Sequence, residues 1–175
     1  MQSQDGKPPK LTTDKEKFAR IISHTDSEIK GFFGAYRFLS NMYRAKVFLD
    51  GEEYVSVENA YQAAKYPKDK RGYFKTCTPG ESKTYAIEHT ELAEPQETWN
   101  ERKVEVMKSL LVQKFDINMN PSLHDLLVQT GEKYLEETNY WSDTFWGVSK
   151  QTKEEKGEGE NNLGKLLMQT RESVK

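Results

Sequence analysis

The sequence predicts a helix-rich single domain organised around a small antiparallel β-hairpin, and three observations carry that prediction. Val47-Phe48-Leu49 and Glu53-Tyr54-Val55 hold the β-branched and aromatic residues that suit strands, and Asp50-Gly51 between them supplies the positive φ of a tight hairpin turn. Apolar residues recur at helical spacing in several stretches, most persistently at Val104, Met107, Leu110, Leu111 and Phe115. With 175 residues the chain can bury one core without staples, and 35% hydrophobic against 31% charged residues fits an α-rich domain with polar loops.

Each element has its own signal. Met1 to Lys10 is polar and carries Pro8-Pro9, so it offers nothing to bury and reads as disordered. Asp14 is placed to cap a short helix edged by Phe18, Ile21 and Ile22, and residues 29–33 read as a strand ending at Gly34. After the hairpin, Ser56 is placed to cap a helix whose buried face is Val57, Ala60, Tyr61 and Ala64. On another face Glu58, Gln62 and Lys65 stack at i, i+4 and i+7; spacing alone reads this either as a solvated face or as a held carboxylate. Residues 68–75 read as a weak, charged helix.

Thr78-Pro79-Gly80-Glu81 and Thr98-Trp99-Asn100-Glu101 both have capping-box form, opening a helix to about Ile87 and the long apolar-striped helix respectively. Trp99, in the first turn of the latter, either walls a pocket or plugs the space under the hairpin. Asn120-Pro121 opens a helix with Leu123, Leu126 and Leu127 inward, closed by Gly131, and residues 134–136 read as a short strand. Residues 150–160 are charged and contain glycines, so they read as a mobile loop that could serve as a lid. Asn161 or Asn162 then caps a last helix with Leu163, Leu166, Leu167, Thr170 and Val174 inward.

Composition excludes several classes of function. Cys77 is the lone cysteine, which leaves no disulfide framework or thiolate cluster and fits a reducing, cytoplasmic setting. The histidines 24, 89 and 124 are scattered, so no zinc spacing supports a metal site. No signal peptide, membrane-spanning stretch or lipidation motif is visible. A net charge of -2 argues against a broad electrostatic grip on duplex nucleic acid.

The run from Asn139 to Gly147 is the most unusual stretch. Tyr140, Trp141, Phe145 and Trp146 surround Ser142, Asp143 and Thr144, so the run reads either as a packed loop or as flat surfaces for a base or sugar beside a carboxylate.

Taken in order, these segments resemble the NADAR superfamily, whose best-known members are the YbiA-like N-glycosidases. The resemblance spans about residues 33–174. It rests on Leu39-Ser40-Asn41, Ser56-Val57-Glu58 with Tyr61-Gln62 and Lys65, Trp99 with Lys103 and Met107, and Lys114-Phe115. It continues through Leu126-Leu127 with Thr130-Gly131, residues 143–147, and Asn162-Leu163-Gly164-Lys165-Leu166-Leu167-Met168 with Arg171. The resemblance implies a compact, mostly helical α+β fold with a small antiparallel sheet. It divides the chain into an N-terminal extension over 1–27, partly disordered, and a NADAR domain over 28–175.

The resemblance also implies cleavage of an N-glycosidic bond in a nucleotide-like substrate, such as ADP-ribosyl-guanine, free or in nucleic acid, or a riboflavin-pathway intermediate. Glu58, Trp99 and Asp143 fall on the positions it treats as catalytic. Asn41, Gln62, Lys65, Lys103, Trp146, Gly147, Asn162 and Arg171 form the substrate-binding set it suggests, and no cofactor or metal is implied. Two departures stand out: Asn59 occupies the position after the glutamate where the family usually has histidine, and Val148-Ser149-Lys150 replaces the usual glycine-rich turn, with glycines delayed to Gly157 and Gly159.

Breaking a ribosyl C–N bond builds positive charge on the sugar while the base leaves with an electron pair, so the chemistry calls for an anion near C1′ and a proton source near the base. Glu58 is expected to serve the first need or to activate water and Asp143 the second, with the roles exchangeable. Trp99 and Trp146 would stack on base or ribose, and Lys65, Lys103 and Arg171 would hold phosphates. Two other readings compete: a module that binds NAD or ADP-ribose without hydrolysis, and a single-stranded nucleic-acid binder using the tryptophan loop.

Overall fold

The structure, a computed structural model, describes residues 13–175, so the expectation for residues 1–10 lies outside it. Thr13, and not Asp14, caps the first helix: its hydroxyl accepts from the Glu16 amide while Glu16 reaches back to the Thr13 amide, and α1 (Asp14–Ile21) follows. Two short strands, β1 (Ser23–His24) and β2 (Glu28–Lys30), pair antiparallel. The strand expected over 29–33 stops at Lys30 because Gly31 turns the backbone to φ 86°, and a 3₁₀ helix over Gly34–Leu39 takes its place.

The hairpin is as expected. Strands β3 (Arg44–Leu49) and β4 (Glu52–Ser56) pair with Val47 opposite Tyr54, joined by Asp50 and Gly51 at φ 50° and 79°. Arg71 ties the turn down through an ion pair with Asp50 while its Nε donates to the Tyr66 carbonyl.

Ser56 then accepts from the Asn59 amide over 3.0 Å and starts α2 (Val57–Ala63), whose seven residues are all buried. The hairpin, α3 (Gly72–Thr76), α4 (Pro79–Glu88) and α5 (Gln96–Lys114) pack around it. A helix enclosed this way has no solvated side, so the stack of Glu58 and Gln62 is interior, at 8% and 6% exposure.

The weak helix expected over 68–75 is divided into a 3₁₀ turn (Lys68–Lys70) and α3. Helix α4 carries its capping box as expected. Helix α5 begins at Gln96 after Pro95, two residues before the expected Thr98 cap, because Pro95 already presets the entry and Thr98 falls inside the first turn. Met107, Leu110, Leu111 and Phe115 are buried, each contributing roughly 1.5–3 kcal/mol for a large apolar side chain.

Helix α6 (Pro121–Gln129) ends before Gly131 at φ 61°. Strand β5 (Tyr134–Glu136) joins β2 in parallel, completing a β1-β2-β5 sheet. Two strands the sequence did not announce, β6 (Thr138–Asn139) and β7 (Val148–Ser149), also pair in parallel and clamp the base of the aromatic loop.

Helix α7 (Asn162–Val174) packs on β5. Asn161 precedes it at φ 53° and makes no side-chain cap; it accepts from the Glu137 amide and donates to the Leu135 carbonyl. Residues 150–160 are not wholly surface: Lys150 is buried in an ion pair with Glu136 over 3.2 Å. The architecture is therefore α+β, mostly helical, with small sheets. Among the described residues no helix is long and apolar enough to cross a membrane.

Candidate active site

A cavity of about 350 Å³ opens between α2, the loop after the 3₁₀ helix, α4 and the aromatic loop. Its position follows from local sequence: the hairpin ends in Ser56, which starts α2, and the Glu58 amide donates to the Asn41 carbonyl over 3.0 Å. Residues 41 and 58 are thereby set side by side at one wall. Glu58 is held along the helix by Gln62, whose Nε2 donates to Glu58 Oε1 over 2.7 Å, while Lys65 Nζ donates to Gln62 Oε1 over 2.6 Å. Burial pushes the Lys65 ammonium below the usual lysine range, and the Glu58 charge opposes that shift.

The other wall is the loop between β6 and β7. Asn139 organises it, its Oδ1 accepting from the Trp141 and Asp143 amides and its Nδ2 donating to the Asp143 carbonyl. Asp143 Oδ1 accepts from the Trp146 amide over 2.9 Å, which fixes the carboxylate at the cavity edge. Trp146 lies edge-on to Tyr61 with ring centroids 5.7 Å apart, so both rings wall the same space.

The structure brings Glu58, Asp143, Asn41, Gln62, Lys65 and Trp146 to the cavity lining. The remaining residues of the sequence-based set stand outside that lining. Trp99 is buried behind Tyr61, its ring 5.0 Å from the phenol ring, so it backs the wall without forming it. Lys103 sits over the Phe145 ring at 3.7 Å and donates to Asn100. Gly147 lets the Glu137 carbonyl and the Asn139 amide approach to where a Cβ would stand, 2.2 and 2.8 Å away. Asn162 donates to the Phe145 carbonyl, pinning the loop. Arg171 is buried and donates to Thr130 Oγ1 and the Lys133 carbonyl, holding α7 to the end of α6.

Asn59 likewise faces away from the cavity. Its Nδ2 donates to the Phe74 and Cys77 carbonyls and its Oδ1 accepts from Ser56, so it ties α2 to α3 and to the start of α4. A histidine at this position would lie among these core groups.

Several lining residues gave no signal in the sequence. Glu137 lies between β5 and β6 and is among the lining residues, where burial pushes its carboxyl up to about 8 with Asp143 adding to the shift. Its Oε2 is buried without a hydrogen-bond partner, as is Asn41 Oδ1. Arg37 and Lys83 bring positive charge to the rim, with Lys83 Nζ 5.8 Å from the Trp141 ring. Phe18 of α1 also reaches the rim, 3.8 Å from Phe33 between ring centroids. The site thus brings three carboxyl groups, aromatic rings and the cations Arg37, Lys65 and Lys83 to one lining, a set suited to a polar sugar with an attached anion.

The NADAR domain profile matches residues 24–175. A riboflavin biosynthesis protein of Vibrio vulnificus is 28% identical over 137 residues, 78% of this chain, which spans only 35% of that protein's length. An N-glycosidase of Nostoc punctiforme is 26% identical over 145 residues, covering 80% of this chain and 86% of the relative. The solution structure of Escherichia coli YbiA superposes with a TM-score of 0.68 at 24% identity over 90% of each chain, a likeness of fold.

Proposed function

Because this chain belongs to the NADAR domain family, we propose that it is an N-glycosidase that hydrolyses the bond between a ribosyl carbon and a base in a nucleotide-type substrate. The observation that carries the reading is that Glu58 and Asp143, distant in sequence, line one cavity walled by Trp146 and Tyr61. The name of the Nostoc relative points the same way.

In this reading the sugar lies over Glu58, whose carboxylate opposes the charge developing at C1′ and takes a proton from the attacking water. Gln62 fixes that carboxylate by its amide donor, so no reorganisation is needed as charge develops. Asn41 Oδ1, buried and unpartnered, accepts from a ribose hydroxyl. Trp146 and Tyr61 flank the base, and Arg37, Lys65 and Lys83 meet the phosphates at the mouth. ADP-ribose joined to guanine and an intermediate of the riboflavin pathway are the substrates that fit this division. The partner is accordingly a small nucleotide or an ADP-ribosylated guanine, and the setting cytoplasmic.

The test is incubation with ADP-ribosylated guanosine, free and in DNA, and with purine and pyrimidine ribotides, following release of base or ADP-ribose. Release that disappears in a folded Glu58→Gln variant supports the reading. Release that survives it removes Glu58 from the chemistry, and saturable ADP-ribose binding with no product would make the domain a binding module.

A further inference from the structure

Adjacent glutamates at the junction of β5 and β6 end in opposite surroundings. Glu136 turns inward, where its Oε1 accepts from Lys150 Nζ and from Thr138 Oγ1. Glu137, on the other side of the extended backbone, turns to the cavity. Its main chain is pinned from both directions: the amide donates to Asn161 Oδ1 over 3.0 Å and the carbonyl accepts from the Val148 amide over 2.8 Å. Gly147 packs against this same peptide with no room for a side chain. The peptide that carries the carboxyl is thus held in place, while the carboxyl Oε2 is buried with no partner.

We propose that Glu137, and not Asp143, is the acid that gives its proton to the departing base. This rests on the N-glycosidase reading above and assigns one of its steps. Three carboxyl groups line the cavity, and mutual repulsion disfavours ionising all of them. Asp143 is engaged as an acceptor by the Trp146 amide, a bond made by its oxygen without a proton. Glu137 has no such donor on Oε2, and an unpaired anion there would carry its full desolvation cost. The charged groups that act on it are Asp143 from the loop and Glu58 from α2, which hold the proton on, and Lys83 from α4 and Lys114 from α5, which oppose them; burial outweighs all four.

The step balances as follows. The C1′–N bond breaks and its electron pair passes to the base nitrogen, which takes the Glu137 proton. Water adds to C1′ and gives a proton to Glu58. Exchange with solvent returns the proton to Glu137 and removes it from Glu58, leaving net hydrolysis.

The probes are guanosine 5′-monophosphate and its N7-methylated form, whose base is already cationic and leaves from N9 without an external acid. Glu137→Gln is expected to lose about a hundredfold or more in kcat on the unmethylated member, the usual worth of a positioned acid, and to keep most of the rate on the methylated one. Wild-type kcat on the unmethylated member should fall as pH rises through about 8, and that limb should vanish in Glu137→Gln and persist in Glu137→Asp.

Equal losses on both members, or none on either, overturn the donor role while leaving the glycosidase reading intact. Failure of the wild type to release base or ADP-ribose from these probes and from the ribotides and ADP-ribosylated guanosine named above overturns both. Carbon-13 NMR of glutamate-labelled wild type needs no variant to fold: one carboxyl titrating near 8 is expected. Titration of every glutamate in the ordinary carboxylate range ends the proposal.

Discussion

Gln62 Nε2 donates to Glu58 Oε1 over 2.7 Å, one turn apart on a helix with no solvated side. The amide aims the carboxylate and takes the place of water around it. Gln62→Leu removes a hydrogen bond to a charged group worth about 1.5–3 kcal/mol. If that bond holds Glu58 for the reaction, kcat/KM falls roughly ten- to hundredfold. Steady-state kinetics on the best substrate measures this, and an unchanged kcat/KM would mean that Glu58 is positioned by other contacts.

Trp99 and Trp146 both lie edge-on to Tyr61, yet only Trp146 faces the cavity. Trp146→Ala is expected to raise KM with a smaller change in the denaturation midpoint. Trp99→Phe should do the reverse, losing about 0.5–3 kcal/mol of stability while KM stays near wild type. Urea denaturation run beside substrate titration separates the two, and a KM effect confined to Trp99 would reverse the assignment.

Gly147 is fixed by close approach, since a Cβ there would stand 2.2 Å from the Glu137 carbonyl oxygen. Gly147→Ala forces β6 and β7 apart and costs about 1–3 kcal/mol or more, as overpacking does. Because the displaced peptide carries Glu137, turnover should fall further than stability alone explains. Full activity at a reduced melting temperature would show that the loop absorbs the added methyl.

Lys114 is wholly buried, with its ammonium donating to the Ser40 carbonyl over 2.7 Å, and burial pushes its pKa down to about 7 from the ordinary 10.5. Between those two values the unfolded chain holds a proton that the folded chain lacks, so stability contributed by this group rises with pH across that window. Below about 7 the ammonium is charged in both states and its desolvation cost is carried in full. Lys114→Met removes the dependence. Wild type should gain on the variant by about 1 kcal/mol per pH unit from neutral to alkaline solution, measured by denaturant unfolding at several pH values. A constant difference across that range would place the Lys114 pKa outside it.

The parts of the fold written in local chemistry were legible from the sequence. The Asp50-Gly51 turn, the Ser56 cap, the Thr78 capping box and the α5 stripe each depend on residues within a few positions of one another, and each stands where expected. Environments made by distant segments were not legible. Glu58 and Gln62 have helix-face spacing, but their burial is decided by α3, α4 and α5. Arg171 and Lys103 look like phosphate ligands to the eye that sees only charge, yet partners far along the chain engage the first and the Phe145 ring the second. Glu137 carried no motif, since it lies between β5 and β6, and β6 is two residues long and is defined only by its pairing with β7.

That pairing makes the site depend on odd and even positions. Because side chains along an extended segment point alternately to opposite sides, a slip of one residue against β7 would exchange the surroundings of the two glutamates. Lys150 would then neutralise the residue that now faces the hollow, and the other would be offered to whatever occupies it. A one-residue insertion between 134 and 139 should therefore silence the protein more thoroughly than many substitutions of larger volume, while leaving both acids in the sequence.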